Sequence, residues 1–208
     1  MPLVTELYDG IIAGNKALVE SLVQSKIDAG ADAEELLMES MVPAMKEIGE
    51  RFSRNEVFVP EMLIAARAMQ AGLDILDPVL SAGGHQPIGK VAIGTVKGDL
   101  HDIGKNLVSI MLKGAGFEVD DLGVDCSVEK FAESIANGSQ VVLCSAMLTT
   151  TMPYMKTIAE HFSGNDAVKV VIGGAPVTQN YADEIGADGY GDNASSAAKV
   201  VSKALGLA

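Results

Sequence analysis

The runs Val91-Ala92-Ile93, Val141-Val142-Leu143 and Val168 to Ile172 decide the fold. Each is short and almost continuously apolar, and stretches with helical spacing separate them. An apolar run without alternation reads as a strand buried on both faces. Strand, loop and helix in repetition are what a parallel sheet covered by helices produces. Phe117 to Leu122 reads as a further, more polar strand. Residues 90 to 208 therefore predict five parallel strands in the order 2-1-3-4-5. In such a sheet, ligands sit beyond the carboxyl ends of the strands, where the strand order reverses. The loops after the first and third strands flank that crevice.

Upstream the rhythm is different. Leu18, Leu22, Val23 and Ile27 follow the three-to-four spacing of one helical face. Asp32 is placed to cap a helix, with Glu35 three residues on and Leu36, Leu37, Met38 and Met41 following. After a break at Ser53 to Asn55, a helix is expected from Pro60 through Met62, Ala66, Met69, Leu73 and Leu76. Short connections make this a four-helix antiparallel bundle. Ser81 to Gly89, SAGGHQPIG, reads as the linker. The expectation is an α/β chain: a helical-bundle domain over residues 1-85, then a flavodoxin-like (Rossmann-like) domain over residues 89-208.

Of 208 residues, 48% are hydrophobic, enough for a real core and against a disordered tail. Fifteen basic against 28 acidic residues give a net charge of −13, which argues against nucleic acid as partner. No apolar run approaches the roughly 20 residues of a spanning helix, and MPLVTELYDG lacks a basic leader. The two cysteines, Cys126 and Cys144, are far from metal-binding spacing and read as reduced thiols. A cytoplasmic protein with no membrane segment is expected.

The loop after the first strand is Lys97-Gly98-Asp99-Leu100-His101-Asp102-Ile103-Gly104. A carboxylate two residues before a histidine can hold one imidazole nitrogen and raise the basicity of the other, as a metal-ligating histidine needs. Gly98 and Gly104 let the backbone approach something bulky. The plainer alternative is a helix cap beside a surface histidine, although the chain has only three histidines and this one lies at the crevice. The loop after the third strand is Ser145-Ala146-Met147-Leu148-Thr149-Thr150-Thr151-Met152. Ser145 is placed to meet Asp99 across the crevice, and the threonines either line the site or cap the next helix. Gly173-Gly174-Ala175-Pro176 follows the fourth strand and leaves room for a flat group, or is an ordinary tight connection.

Together these motifs resemble the cobalamin-binding family, whose pattern is DxHxxG, then SxL, then GG. Here they stand as Asp99 to Gly104, Ser145-Ala146-Met147-Leu148 with the leucine one place late, and Gly173-Gly174. The first half is similar to the helical cap that precedes the cobalamin domain in methionine synthase and in stand-alone corrinoid proteins. Phe52, Phe58-Val59-Pro60-Glu61-Met62 and Ala65 to Met69 carry that likeness.

The resemblance implies cobalamin or a related corrinoid, with His101 as the lower axial ligand of cobalt in place of the cofactor's own base. It implies a relay of His101, Asp99 and Ser145. Gly98, Asp102, Ile103, Gly104, Met147 or Leu148, Thr149, Gly173, Gly174, Ala175, Tyr190, Gly191 and Asp192 are implied to line the cofactor site. Phe52, Val59 and Met62 would cover the upper face, unless they are bundle core. The chemistry implied is methyl carriage on cobalt, between Co(I) and methylcobalamin. The partners are then a substrate-specific methyltransferase, of methylamine, methanol, betaine or methoxy-aromatic type, and a second methyltransferase using tetrahydrofolate or a thiol. A reductive activator completes the set. The chain would be a corrinoid subunit, not catalytic on its own. The rival readings are the binding subunit of an adenosylcobalamin mutase, a cobalamin-based sensor, and a cofactor-free receiver domain.

Overall fold

The computed structural model describes residues 4–83 and 86–207, so Gly84 and His85 of the expected linker, and the expected boundary at 85, lie outside the described residues. By contact density the chain divides into two units. One holds Met1–Pro87 with Gly114–Gly116, the other Ile88–Lys113 with Phe117–Ala208.

The first unit is helical: α1 Thr5–Ile12, α2 Lys16–Asp28, α3 Ala33–Leu36, α4 Val42–Ser53 and α5 Val59–Ala82. A π-helical turn, Leu37–Met41, joins α3 to α4, so the described residues form four rods. Pro43 explains that turn, because it has no N–H to give the Glu39 carbonyl four residues back. Asn15 caps α2 by accepting from the Leu18 N–H at 3.2 Å. Asp32 caps α3, accepting from the Glu35 N–H at 3.0 Å, where the sequence placed a cap. Leu7, Ile11, Leu36, Met41, Met45, Ile48, Met62 and Leu76 are fully buried.

The second unit is a five-stranded, all-parallel sheet in the order β2-β1-β3-β4-β5, the order expected. Its elements are β1 Lys90–Val96, α6 Ile103–Gly114, β2 Glu118–Cys126, α7 Val128–Ala136, β3 Val141–Ser145, α8 Pro153–Phe162, β4 Lys169–Gly173, α9 Gln179–Ile185, β5 Gly189–Gly191 and α10 Ala194–Ala204. Central strands β1, β3 and β4 are buried on both faces, hence their unbroken apolar runs. Edge strand β2 keeps polar, half-exposed residues and runs past the expected Leu122 to Cys126. Strand order reverses between β1 and β3, so the loops from both converge there. Among the described residues no helix is long and apolar enough to cross a membrane.

Candidate cofactor site

Beyond Val96 the chain turns over the end of β1. The Asp99 N–H donates to the Val96 carbonyl at 3.1 Å, and Gly98 adopts φ +84°, which a side chain would strain. Thr95, buried, donates its hydroxyl to the His101 carbonyl at 2.7 Å. These bonds place Asp99 at full burial and leave the His101 side chain 55% exposed.

Asp99 collects donors from both loops. Its Oδ1 accepts from His101 Nδ1 at 2.7 Å and from the His101 N–H at 3.1 Å. Its Oδ2 accepts from the Met147 N–H at 2.8 Å, the Leu148 N–H at 3.3 Å and the Thr151 hydroxyl at 2.8 Å. Burial pushes the Asp99 pKa up. The Met147 N–H, the His101 ring, the Thr151 hydroxyl and the His101 N–H outweigh it and hold the carboxyl well below the usual carboxylate range. A carboxylate only accepts, so Nδ1 carries a proton, and in the neutral ring the lone pair stands on Nε2. The result is a half-exposed imidazole of fixed tautomer, ready to ligate through Nε2.

Three expectations need correction. Ser145 does not supply the hydroxyl on Asp99; Thr151 does. Ser145 ends β3 in register with Thr95 and Gly173, short of Asp99, and the turn after β3 is what folds over the carboxylate. Thr151 does not cap α8 either, since that helix begins with Pro153 and has no side-chain cap. Met62 is fully buried and so is core, whereas Phe58, 63% exposed, is the aromatic that this segment presents. Phe52 is half-buried and Val59 exposed.

The two glycines at the end of β4 serve close packing more than open space. Gly174 has φ +128°, and a Cβ there would fall on the Ala146 carbonyl oxygen. A Cβ on Gly173 would lie 2.9 Å from the Gly191 carbonyl oxygen. The turns after β3, β4 and β5 are thereby drawn together, which places Ser145, Gly173, Gly174 and Gly191 side by side. Thr149, Ala175 and Asp192 are exposed there, and Tyr190 packs partly on the sheet core. Asp192 accepts from the Ser196 hydroxyl and from Asn193 Nδ2, bracing the start of α10.

A corrinoid fits these residues. Among the described residues no cluster of three or more His, Cys, Asp or Glu could hold a bare metal ion. One oriented histidine suits a metal that arrives with equatorial ligands of its own. Leu100 (72% exposed), Ile103 (77%), Met147 (49%) and Leu148 (43%) offer apolar surface around His101. A Cβ on Gly104 would meet nothing within 4 Å, so nothing inside the protein requires glycine there. The two cysteines are buried free thiols, and burial pushes Cys144 up to about 12, so neither offers a ready thiolate.

Comparison with known proteins shows the family. Models of the B12 binding domain match residues 89–199 and, for a second such model, residues 3–77. A corrinoid protein of Desulfitobacterium hafniense (strain Y51) is 38% identical over 99% of each chain. The trimethylamine corrinoid protein of Methanosarcina barkeri is 39% identical over 99% of this chain and 97% of its own. Among solved structures, the methanol:cobalamin methyltransferase complex of Methanosarcina barkeri superposes with a TM-score of 0.86 at 26% identity, covering 98% of this chain and 79% of that one. With both B12 binding domains matched and relatives aligned end to end, the chain belongs to the corrinoid (cobalamin-binding) proteins.

Proposed function

We propose that the chain carries a methyl group on a corrinoid held with His101 as lower axial ligand, passing it from a substrate-specific methyltransferase to a second one. The observation that carries this reading is the Asp99–His101 pair, which keeps the proton at Nδ1 and leaves Nε2 free. When bound, the corrinoid supplies a cobalt centre that accepts and releases the methyl group. The rest belongs to the chain. Thr151 and the Met147 and Leu148 N–H groups hold Asp99 as a carboxylate. Leu100 and Ile103, exposed beside His101, would exclude water from a bound corrin ring. Ser145, Thr149, Gly173, Gly174 and Gly191 would hold the cofactor's nucleotide tail. On the helical unit, Phe52 is half-buried and Phe58 and Val59 are exposed, apolar side chains available to a cofactor or a partner.

A methylated amine is the donor class this reading favours, because the trimethylamine corrinoid protein is 39% identical over 99% of this chain. The acceptor methyltransferase uses tetrahydrofolate or a thiol, and a reductive activator returns oxidised cofactor to service. The net charge of −13 suits docking on basic partner patches. The test is electron paramagnetic resonance of the Co(II) protein reconstituted with hydroxocobalamin. Nitrogen splitting from a protein imidazole is expected, lost in His101→Ala. Splitting from the cofactor's own base in the wild type would refute the ligand assignment. Repeated turnover of a methyl donor by this chain alone, with only cofactor and reductant, would refute the carrier role.

A further inference from the structure

The end of β2 is irregular in a way the sheet itself does not require. Between Ile93 and Val96, β1 advances three residues, while its partner runs from Asp121 to Cys126, with register shifts on either side of Gly94. The surplus is taken up by Gly123 at φ +81° and Asp125 at φ +51°. Bulges of this kind re-aim the chain at the end of a strand. Here the bulged segment reaches the histidine loop. The Asp125 N–H donates to the Asp99 carbonyl at 3.0 Å, and Asp125 Oδ1 accepts from the Gly98 N–H at 2.7 Å. The same segment holds the far end of the loop, because Asp121 Oδ1 and Oδ2 accept from Lys105 Nζ at 2.6 and 2.8 Å, and Lys105 is only 3% exposed.

From these contacts we propose that Asp125 is a positioning residue, which sets the orientation of His101 through the Gly98–Asp99 segment. The chain of cause is short. Asp99 has its N–H on Val96 and its carbonyl on Asp125, so its backbone cannot rotate and its carboxylate is aimed. The carboxylate in turn fixes the His101 ring and the His101 N–H. Asp125 pays for this with a left-handed backbone, which aspartate tolerates better than most residues but glycine tolerates best. An exposed position in that conformation gains nothing from a carboxylate except its acceptor oxygen. That Asp125 thereby also governs cobalt ligation rests on the reading of His101 as lower ligand.

The test uses the full-length chain as Asp125→Ala, Asp125→Gly and Asp125→Asn. The amide of asparagine keeps an acceptor oxygen and accepts positive φ; glycine relieves the backbone but has no acceptor. In cofactor-free protein, amide hydrogen exchange at Gly98 and His101 should quicken about ten-fold in the Ala and Gly variants and stay near wild type in Asn. Exchange at Val91 and Ile93, deep in β1, serves as the control. Should Ala also loosen β1, the Gly variant, free of the strain, decides. Unchanged His101 exchange in Gly, or Asn behaving as Ala does, overturns the proposal. After reconstitution with hydroxocobalamin and reduction to Co(II), the imidazole nitrogen splitting should weaken in Ala and Gly and return in Asn. A wild type without that splitting would overturn the lower-ligand reading alone, and the exchange data would still judge Asp125.

Discussion

Replacing Asp99 by asparagine changes one atom and asks what the carboxylate does. In the wild type five donors converge on it: the His101 ring and N–H on Oδ1, and the Met147 N–H, Leu148 N–H and Thr151 hydroxyl on Oδ2. An amide has one oxygen and one NH2 group. With its oxygen toward Met147, it keeps three donors as neutral hydrogen bonds and turns NH2 toward His101. There the His101 N–H loses its partner, and the ring must accept at Nδ1, moving its proton to Nε2. The opposite flip sets NH2 against two backbone N–H groups and is worse. Hydrogen bonds to charged groups contribute about 1.5–3 kcal/mol against about 1 for neutral ones. Three weakened bonds and one lost N–H, discounted for non-additivity, come to about 3 kcal/mol. With m near 2 kcal/mol/M, the urea midpoint of the cofactor-free α/β unit should fall by about 1.5 M. Nitrogen-15 shifts of the imidazole should show the proton moving from Nδ1 to Nε2, which blocks ligation. An unchanged midpoint together with an unchanged tautomer would refute the assigned role of Asp99.

The Asp99 pKa is lower in the folded than in the unfolded chain, so its contribution is complete above the unfolded value of about 4 and fades as pH falls through the folded value. The stability gap between wild type and Asp99→Asn should therefore narrow on acidification below about pH 4, as urea midpoints would show; a gap that widens would contradict it. Thr151→Val should cost about 1–2 kcal/mol by removing one donor, with Thr151→Ser restoring it, and equal midpoints for all three proteins would count against the Thr151 contact. Gly174→Ala should cost about 3 kcal/mol or more, because the added Cβ meets the Ala146 carbonyl in a left-handed backbone; a wild-type melting temperature would show that the turn yields easily.

Much of this protein is legible in the chain itself. Burial on both faces erases alternation, so β1, β3 and β4 announce themselves as apolar runs, and the parallel order then dictates which loops meet. The Asp99–His101 pair is readable because two residues of spacing on one short loop suffice to close the hydrogen bond. Other features depend on distance through space. Three threonines follow β3, and composition cannot say which hydroxyl reaches Asp99; the turn of chain that brings Met147, Leu148 and Thr151 over the carboxylate selects Thr151. Met62 and Phe58 are both apolar and four residues apart, yet Met62 lies inside α5 and is buried, while Phe58 stands before the helix begins and is exposed. Asp125 left no signal in the sequence, because its role arises from two surplus residues in β2 that only strand pairing reveals. Local spacing determines contacts made along one segment, whereas contacts between segments wait on register and turn geometry, which the fold alone decides.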